Sequence, residues 1–293
     1  MVSADPRRAF RLGWVIDSDK PSERRWPPLD AAALRAELLG AGLGWRRIDV
    51  VEQTGSTNAD LLARAASSDG GAGIAGAVLI AEHQTAGRGR QGRGWSASPR
   101  AQITMSVAVS VADPVGVPAA KWGWLPLATG VAVVDTVLAV TGIQAGLKWP
   151  NDVLVDGAKL AGILAEVARP IVVIGLGLNV FEVPNRIVGA TSLLDLGVAA
   201  PDRHQLVCEL LRQLGRRIVG WRAARGADWA LVADYRARSL TIGNRVHAHL
   251  PGGRDIVGTA VGIDDQGRLV LDTGPETGGE TVVVSAGDVV HLR

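Results

Sequence analysis

The stretch Gln84-Thr85-Ala86-Gly87-Arg88-Gly89-Arg90-Gln91-Gly92-Arg93-Gly94-Trp95 holds the densest set of side chains that could do chemistry. From Gln84 to Arg100 there are four arginines and no acidic residue. Gly87, Gly89, Gly92 and Gly94 let the backbone approach a ligand and leave amide N–H groups free to point at it. Arginine forks match phosphate and carboxylate oxygens. The stretch therefore reads as a flexible site for an anion. Other readings compete with that one. Gly87, Gly89 and Gly92 have the spacing of a dinucleotide fingerprint, but Trp95-Ser96-Ala97-Ser98-Pro99 blocks the helix that must follow. Arginine–glycine segments also bind nucleic-acid backbones, and a solvated basic loop needs no ligand. No G-x-x-x-x-G-K-[ST] occurs, so any use of ATP would not rest on a P-loop.

Other clusters are weaker alone. Lys148-Trp149-Pro150-Asn151-Asp152 sets a phosphate-suited charge, an aromatic, an amide and a carboxylate at a strand end, yet Pro-Asn-Asp is also ordinary turn chemistry. Lys159, in Lys159-Leu160-Ala161-Gly162-Ile163-Leu164, is the lone charge of an apolar run; such a lysine can simply face solvent. Gly55-Ser56-Thr57-Asn58 opens a helix, where capping and ligand binding are both served. Gly175-Leu176-Gly177-Leu178-Asn179-Val180 places two glycines in a strand, a sign of close approach by a ligand or another backbone. His247 and His249 share a strand face with no third ligand spaced to join them, so no protein metal cluster is expected. Cys208 reads as a core residue without a histidine partner.

The elements that must position these residues are α+β. Asp30 caps a helix over 30–39, ended by Gly40 or Gly42, and Ile48–Glu52 reads as a strand. Thr57 starts a helix with Asp60 as its capping-box partner. Ala77–Ala81 is a buried strand, and Gln102–Val111 alternates polar and apolar residues as a half-buried one does. Strands at 152–155 and 159–168 flank the hairpin turn Asp156-Gly157, and Arg169-Pro170 leads into a strand over 171–178. Short turns between consecutive strands indicate antiparallel pairing and exclude a uniformly parallel sheet. Helices follow near 202–222 and 227–238. Beyond Ser239, five short strands separated by glycine turns suggest a small barrel.

Three segments are set out: an N-terminal extension over 1–45, loosely ordered to about residue 26; a main domain over 46–238; and the barrel over 239–293. A net charge of +2 argues against wholesale nucleic-acid binding. A single cysteine excludes an intrachain disulfide and fits a reducing compartment, so the cytoplasm is the expected location. Trp122–Leu147 carries only Asp135 as a charge, but Pro126 and its glycines make it a buried core helix rather than a membrane span.

Taken jointly and in this order, Gly55–Asn58, Gln84–Arg90, Lys148–Asp152, Lys159–Leu164 and Gly175–Val180 resemble the biotin–protein ligase family, and the resemblance covers roughly 46–293. It implies a mixed, largely antiparallel sheet with helices on one side, as in class II aminoacyl-tRNA synthetases, and an SH3-like C-terminal barrel. It implies that biotin, ATP and Mg²⁺ are used to make an acyl-adenylate, whose biotinyl group passes to a lysine of a biotin carboxyl carrier domain of an acetyl-CoA, acyl-CoA or pyruvate carboxylase. Ser56, Thr57, Asn58, Gln84, Gly87, Arg88, Gly89, Arg90, Lys159 and Gly162 would bind biotin. Arg88, Arg90, Arg93, Trp95, Lys148, Asn151 and Asn179 would hold ATP or the adenylate. Arg90, Lys148, Lys159 and Asp152 would be catalytic, with the metal carried by ATP. Residues 1–45 do not supply the winged helix-turn-helix of DNA-binding members, so DNA binding is not expected, while a homodimer is allowed. A lipoate-type ligase on the same architecture is the runner-up, and a nucleic-acid-binding protein using the arginine loop is a third reading.

Overall fold

Runs of β-branched residues broken by Gly and Pro turns dominate the middle of the chain, and they pair as the short connections require. The computed structural model describes residues 26–67, 73–112, 116–183, 187–250, 252–274 and 279–292. The loosely ordered segment expected at the N-terminus falls on residues 1–25 and lies outside the described residues, as do Pro251 and Gly278 in the glycine turns expected between the C-terminal strands. The chain runs α1 (Ala31–Leu38), β1 (Arg47–Val51), α2 (Thr57–Ser67), β2 (Ala77–Ala81), β3 (Gly87–Arg88), β4 (Gly94–Trp95), β5 (Gln102–Ser110), α3 (Trp124–Thr141), β6 (Gly146–Lys148), β7 (Asp152–Val155), β8 (Ala158–Ala168), β9 (Ile171–Asn179), α4 (Arg203–Ala223) and α5 (Trp229–Arg238). It ends in β10 (Arg245–His249), β11 (Asp255–Ile263), β12 (Leu269–Asp272), β13 (Thr281–Val284) and β14 (Asp288–His291).

The main sheet has the order β1-β2-β5-β9-β8-β7-β6. Only β1 and β2 pair in parallel; every other neighbour is antiparallel. Asp156 and Gly157 both take positive φ, the hairpin turn that Asp-Gly predicts. The mixed, largely antiparallel sheet is as expected. Helices α1, α3, α4 and α5 belong to the large core with Val78, Ile80, Ile103 and Ile174. Leu61 and Ala65 of α2 pack instead on Leu79, Ala108 and Val173. Alternate residues of a strand point to opposite faces, so α2 covers part of the other face. The C-terminal strands form a second antiparallel sheet, ordered β13-β12-β11-β10-β14.

Two expectations change. Strand β5 is buried along its whole length rather than half-buried, so its polar residues face an interior and not solvent. The cap of α2 is Ser56, whose Oγ accepts from Ala59 N at 3.4 Å, while Asp60 accepts from Thr54 Oγ1 at 2.6 Å and makes no box with Thr57. Helix α3 is apolar enough to cross a membrane by length and composition, but 67% of that window is buried inside the fold. Its lone charge, Asp135, pairs with Arg217 of α4 and, at 2.6 Å, with Arg238 of α5, as a core helix requires.

The start of the described chain is tied down by a buried charge pair. Arg203 Nη2 lies 2.6 Å from Glu82 Oε2, with the two side chains 3% and 2% exposed. Leu29 N donates to the other Glu82 oxygen at 2.6 Å, and Arg203 Nη1 donates to Pro27 O at 3.3 Å. Removing one partner strands a charge in the interior. Arg203→Met is therefore expected to cost about 3–5 kcal/mol in urea unfolding, with Glu82→Leu/Arg203→Met recovering most of it. A single-variant cost below about 1 kcal/mol, the range of exposed pairs, would show that the pair is not buried in solution.

Candidate active site

The site lies on the α2 face of the main sheet, where three glycines replace side chains. Gly162 on β8 is opposite Gly177 on β9, which is opposite Thr104 on β5. One row along, Leu164, Gly175 and Ser106 are aligned. A Cβ on Gly175 would stand 2.3 Å from Asn58 Oδ1, and one on Gly177 would stand 2.2 Å from the Trp95 indole. A Cβ on Gly162 would meet both Trp95 and Lys159 at about 3.0 Å. The strand glycines are thus needed because α2 and the indole pack directly on the sheet backbone.

Over this floor sits a cavity of about 460 Å³, in the size range of small-molecule sites. One end is neutral and polar. Ser56, Thr57 and Asn58 are buried at the start of α2, and Gln84 Oε1 accepts from Thr57 N at 2.8 Å and from Thr57 Oγ1 at 3.1 Å. Ser106 Oγ donates to Thr57 Oγ1 and lies 2.6 Å from Asn58 Oδ1; Asn58 Nδ2 donates to Glu166 at 2.8 Å. Ser106 was not singled out from the sequence. The signal was present in Gln102, Thr104 and Ser106, a polar stripe on one face of a strand too apolar to be exposed.

The other end is cationic. Lys159 points into the cavity rather than to solvent, with Nζ 2.5 Å from Asp152 Oδ1 and 5.7 Å from the Trp95 ring centroid. Lys148 is the register partner of Asp152 across β6 and β7. Asn151 accepts from Arg90 Nη1 at 2.9 Å and donates to Ile163 O at 3.0 Å. Burial pulls the Arg90 guanidinium below the usual arginine range, opposed by Asp288 and Asp152. Asn179 lines the cavity, but its amide is committed to the fold: it accepts from Gln102 at 2.7 Å and donates to Thr191 O at 2.9 Å. Gln102 in turn accepts from Trp95 Nε1 at 2.9 Å.

The arginine loop, free of acidic residues in its own sequence, finds them elsewhere. Arg88 pairs with Glu166 at 3.4 Å, and Arg93 with Asp288 at 2.6 Å. Arg90 Nη2 donates to Gly287 O at 3.2 Å. Gly87 and Arg88 pair with Gly94 and Trp95 as a small hairpin, and Gly89 N donates to Arg93 O at 2.6 Å. Asp288 and Glu166 are ion-pair partners of the loop that no local motif announced.

Two further expectations are corrected. His247 and His249 do gain a third metal-capable group, Asp255, from the neighbouring strand. Cys208 does have a histidine nearby: His204, one helical turn earlier, places Nε2 3.5 Å from its Sγ, with Glu37 alongside. Burial and Glu37 push the Cys208 thiol up to about 12, so it stays protonated.

A neutral polar recess continuous with a cluster of lysines and arginines suits an enzyme that brings a small polar molecule against a polyanion. The family model described as the biotin/lipoate A/B protein ligase family matches residues 71–179, and that of the biotin protein ligase C terminal domain matches 241–292. A biotin–[acetyl-CoA-carboxylase] ligase of Mycobacterium tuberculosis is 64% identical over 275 residues, 92% of this chain and 98% of its own length. The biotin protein ligase from Aquifex aeolicus, solved with biotin and ATP, has a TM-score of 0.70 at 24% identity, covering 85% of this chain and 100% of that one. The Leishmania major biotin protein ligase, solved with biotinyl-5-AMP, has a TM-score of 0.56 at 25% identity, covering 82% and 99%. The chain belongs to the biotin protein ligase family and is a ligase.

The glycine floor can be tested without ligand. Gly177→Ala is expected to cost about 1–3 kcal/mol by overpacking, measured by urea unfolding. Much of that cost should vanish when Trp95→Ala is already present, since the indole is what the Cβ would strike. Equal costs in both backgrounds would show that the glycine does not accommodate Trp95.

Proposed function

We propose that the chain condenses biotin with ATP to biotinyl-5'-AMP and then transfers the biotinyl group to a lysine of a biotin carboxyl carrier protein. The observation that carries this reading is the joining, in one cavity, of the polar recess at the start of α2 with the cations Lys148, Lys159 and Arg90. The ureido head of biotin is a compact set of donors and acceptors, and Ser56, Thr57, Asn58 and Gln84 offer complementary groups. A lipoate-type ligase would want a long apolar tunnel there, which these buried polar side chains disfavour. A nucleic-acid reading loses its main support, because Arg88 and Arg93 are engaged by Glu166 and Asp288.

In the first step an oxygen of the biotin carboxylate attacks the α-phosphorus of ATP, and pyrophosphate leaves. Two anions approach each other, so cations fixed before reaction lower the barrier most. We assign that part to Lys159 and Arg90, with Lys148 on the phosphates, and we assign Asp152 to holding the Lys159 ammonium in place. Arg88, Gly87 and Gly89 close over biotin, while Arg93, Trp95 and Asn151 serve the adenylate; Gly162 and Asn179 shape the wall. Among the residues lining the cavity the carboxylates are Asp152 and Asp288, and each is paired with a protein cation. Mg²⁺ carried by the triphosphate would supply charge to offset that on the leaving pyrophosphate. In the second step the neutral amine of the acceptor lysine attacks the acyl carbonyl, AMP leaves, and the amine releases a proton. No covalent enzyme intermediate is required.

The acceptor follows from the name of the M. tuberculosis relative, which specifies acetyl-CoA carboxylase; a carrier domain of that kind is our assignment for this chain. We divide the chain into a catalytic part over 46–238 and the C-terminal domain over 239–293. The expected cytoplasmic location fits a soluble ligase.

Incubation with labelled biotin, MgATP and a carrier domain should label the carrier. A complete lack of ATP-dependent labelling would sink the proposal. Lys159→Ala should slow single-turnover adenylation by roughly 10² or more, the scale for losing a preorganised charge donor, with an unchanged circular dichroism spectrum. Full adenylation activity in that variant would remove Lys159 from the reaction centre.

A further inference from the structure

The C-terminal domain carries a second cluster of chemistry-bearing residues, remote in kind from the ligase site. His247 and His249 are two apart on β10 and alternate with the fully buried Val246 and Ala248, so both project from the outer face of the strand. The β10–β11 register sets Asp255 opposite His249, which puts its carboxylate on the same face. The imidazole centroids are 4.1 Å apart. His249 Nδ1 lies 3.0 Å from Asp255 Oδ1, and His247 Nε2 lies 3.0 Å from Oδ2. All three donor atoms fall within 4.8 Å of one another.

We propose that His247, His249 and Asp255 form a binding site for a divalent first-row transition-metal ion, for which Zn²⁺ is the natural probe. The donor set is right for such an ion: two imidazole nitrogens and one carboxylate, with a remaining position for water. Donors about 2.0–2.1 Å from a tetrahedral ion sit about 3.4 Å apart, and here each nitrogen stands 3.0 Å from a carboxylate oxygen with all three donors within 4.8 Å, so small side-chain adjustments complete the set. The Nε2 of His247 gives a second, independent pointer. It is shut off from solvent, faces the carboxylate, and makes no aligned hydrogen bond. A lone pair in that position is better used by an ion than by a misdirected proton. The side chains are 29%, 46% and 52% exposed, which leaves an entry path.

The competing cluster is Glu37, His204 and Cys208. It is the weaker site because Arg212 already holds Glu37 at 2.8 Å and the thiol is kept protonated. The two clusters give different signatures, since only the second contains sulfur.

A bound ion would cross-link β10 to β11. Strand β10 also pairs with β14, in a register that sets His249 opposite Asp288, the carboxylate that holds Arg93. The site would thus brace the strand that positions Asp288.

The test uses the full chain after chelator treatment. Titration with Zn²⁺ against a chromophoric chelator should show one equivalent bound, and Zn²⁺ should raise the thermal midpoint through linkage. Asp255→Asn should weaken binding by about tenfold or more, and His247→Ala/His249→Ala should abolish it; each variant is checked by circular dichroism without metal. With Co²⁺ the wild type should show visible d–d bands without the thiolate charge-transfer band that Cys208 would give. Failure of the wild type to bind Zn²⁺, undiminished binding in the double variant, or loss of binding in Cys208→Ser would each overturn the proposal.

Discussion

Cationic side chains crowded around one cavity repel one another, and the site is built to hold them together without a ligand. Two unit charges 4 Å apart cost about 4 kcal/mol at an effective dielectric of 20, so Arg88, Arg90, Arg93, Lys148 and Lys159 cannot simply be gathered. The fold answers with carboxylates drawn from three separate strands. Asp152 on β7 holds Lys159, Glu166 on β8 holds Arg88, and Asp288 on β14 holds Arg93. The cations are thus held in place without a ligand, and electrostatic stabilisation of this kind is preorganised.

The neutral half of the cavity obeys a different constraint, the cost of leaving a buried polar group unpaired. Thr57, Asn58, Gln84 and Ser106 are joined by hydrogen bonds, which fix the start of α2 against β5, while Ser56 caps the helix at Ala59 N. The same logic runs from Trp95 through Gln102 to Asn179. Both networks reach the sheet because Gly175 and Gly177 leave no side chain in the way. Backbone flatness on one strand thus decides where a helix and an indole can sit, and through them the shape of the recess.

Much of this was readable in the sequence where the signal was local. The Asp156-Gly157 hairpin, the cap Asp30, and the antiparallel order of β7, β8 and β9 follow from turn and cap chemistry within a few residues. The cationic motifs were also visible, because glycine and arginine together have few structural uses. What was not legible depends on pairing between distant segments. Asp255 becomes a neighbour of His249 only once β10 and β11 are in register, and Asp288 reaches Arg93 across 195 positions. The polar stripe of β5 shows as alternation, and alternation alone does not tell a wet face from a cavity wall. The His204–Cys208 contact, by contrast, is a local one, four residues apart on one helix.

The small C-terminal domain braces the site largely through its backbone. Trp149 Nε1 donates to Gly267 O and Trp124 Nε1 to Asp264 O, both at 3.1 Å, so two buried indoles of the main domain pin the turn between β11 and β12. Trp149 N also donates to Thr241 at 3.0 Å. Since Trp149 stands between Lys148 and Pro150, the turn that sets Lys148, Asn151 and Asp152 is held from the side of the small domain. The same domain delivers Gly287 and Asp288 to the arginine loop. Both the turn at Lys148 and the arginine loop are thus referenced to one body. A shift of that body would move these groups together, keeping the distance between Arg90 and Asn151 while changing their reach to the polar recess. The separation between the two ends of the cavity is accordingly set by how the second sheet docks, and not within the main sheet alone.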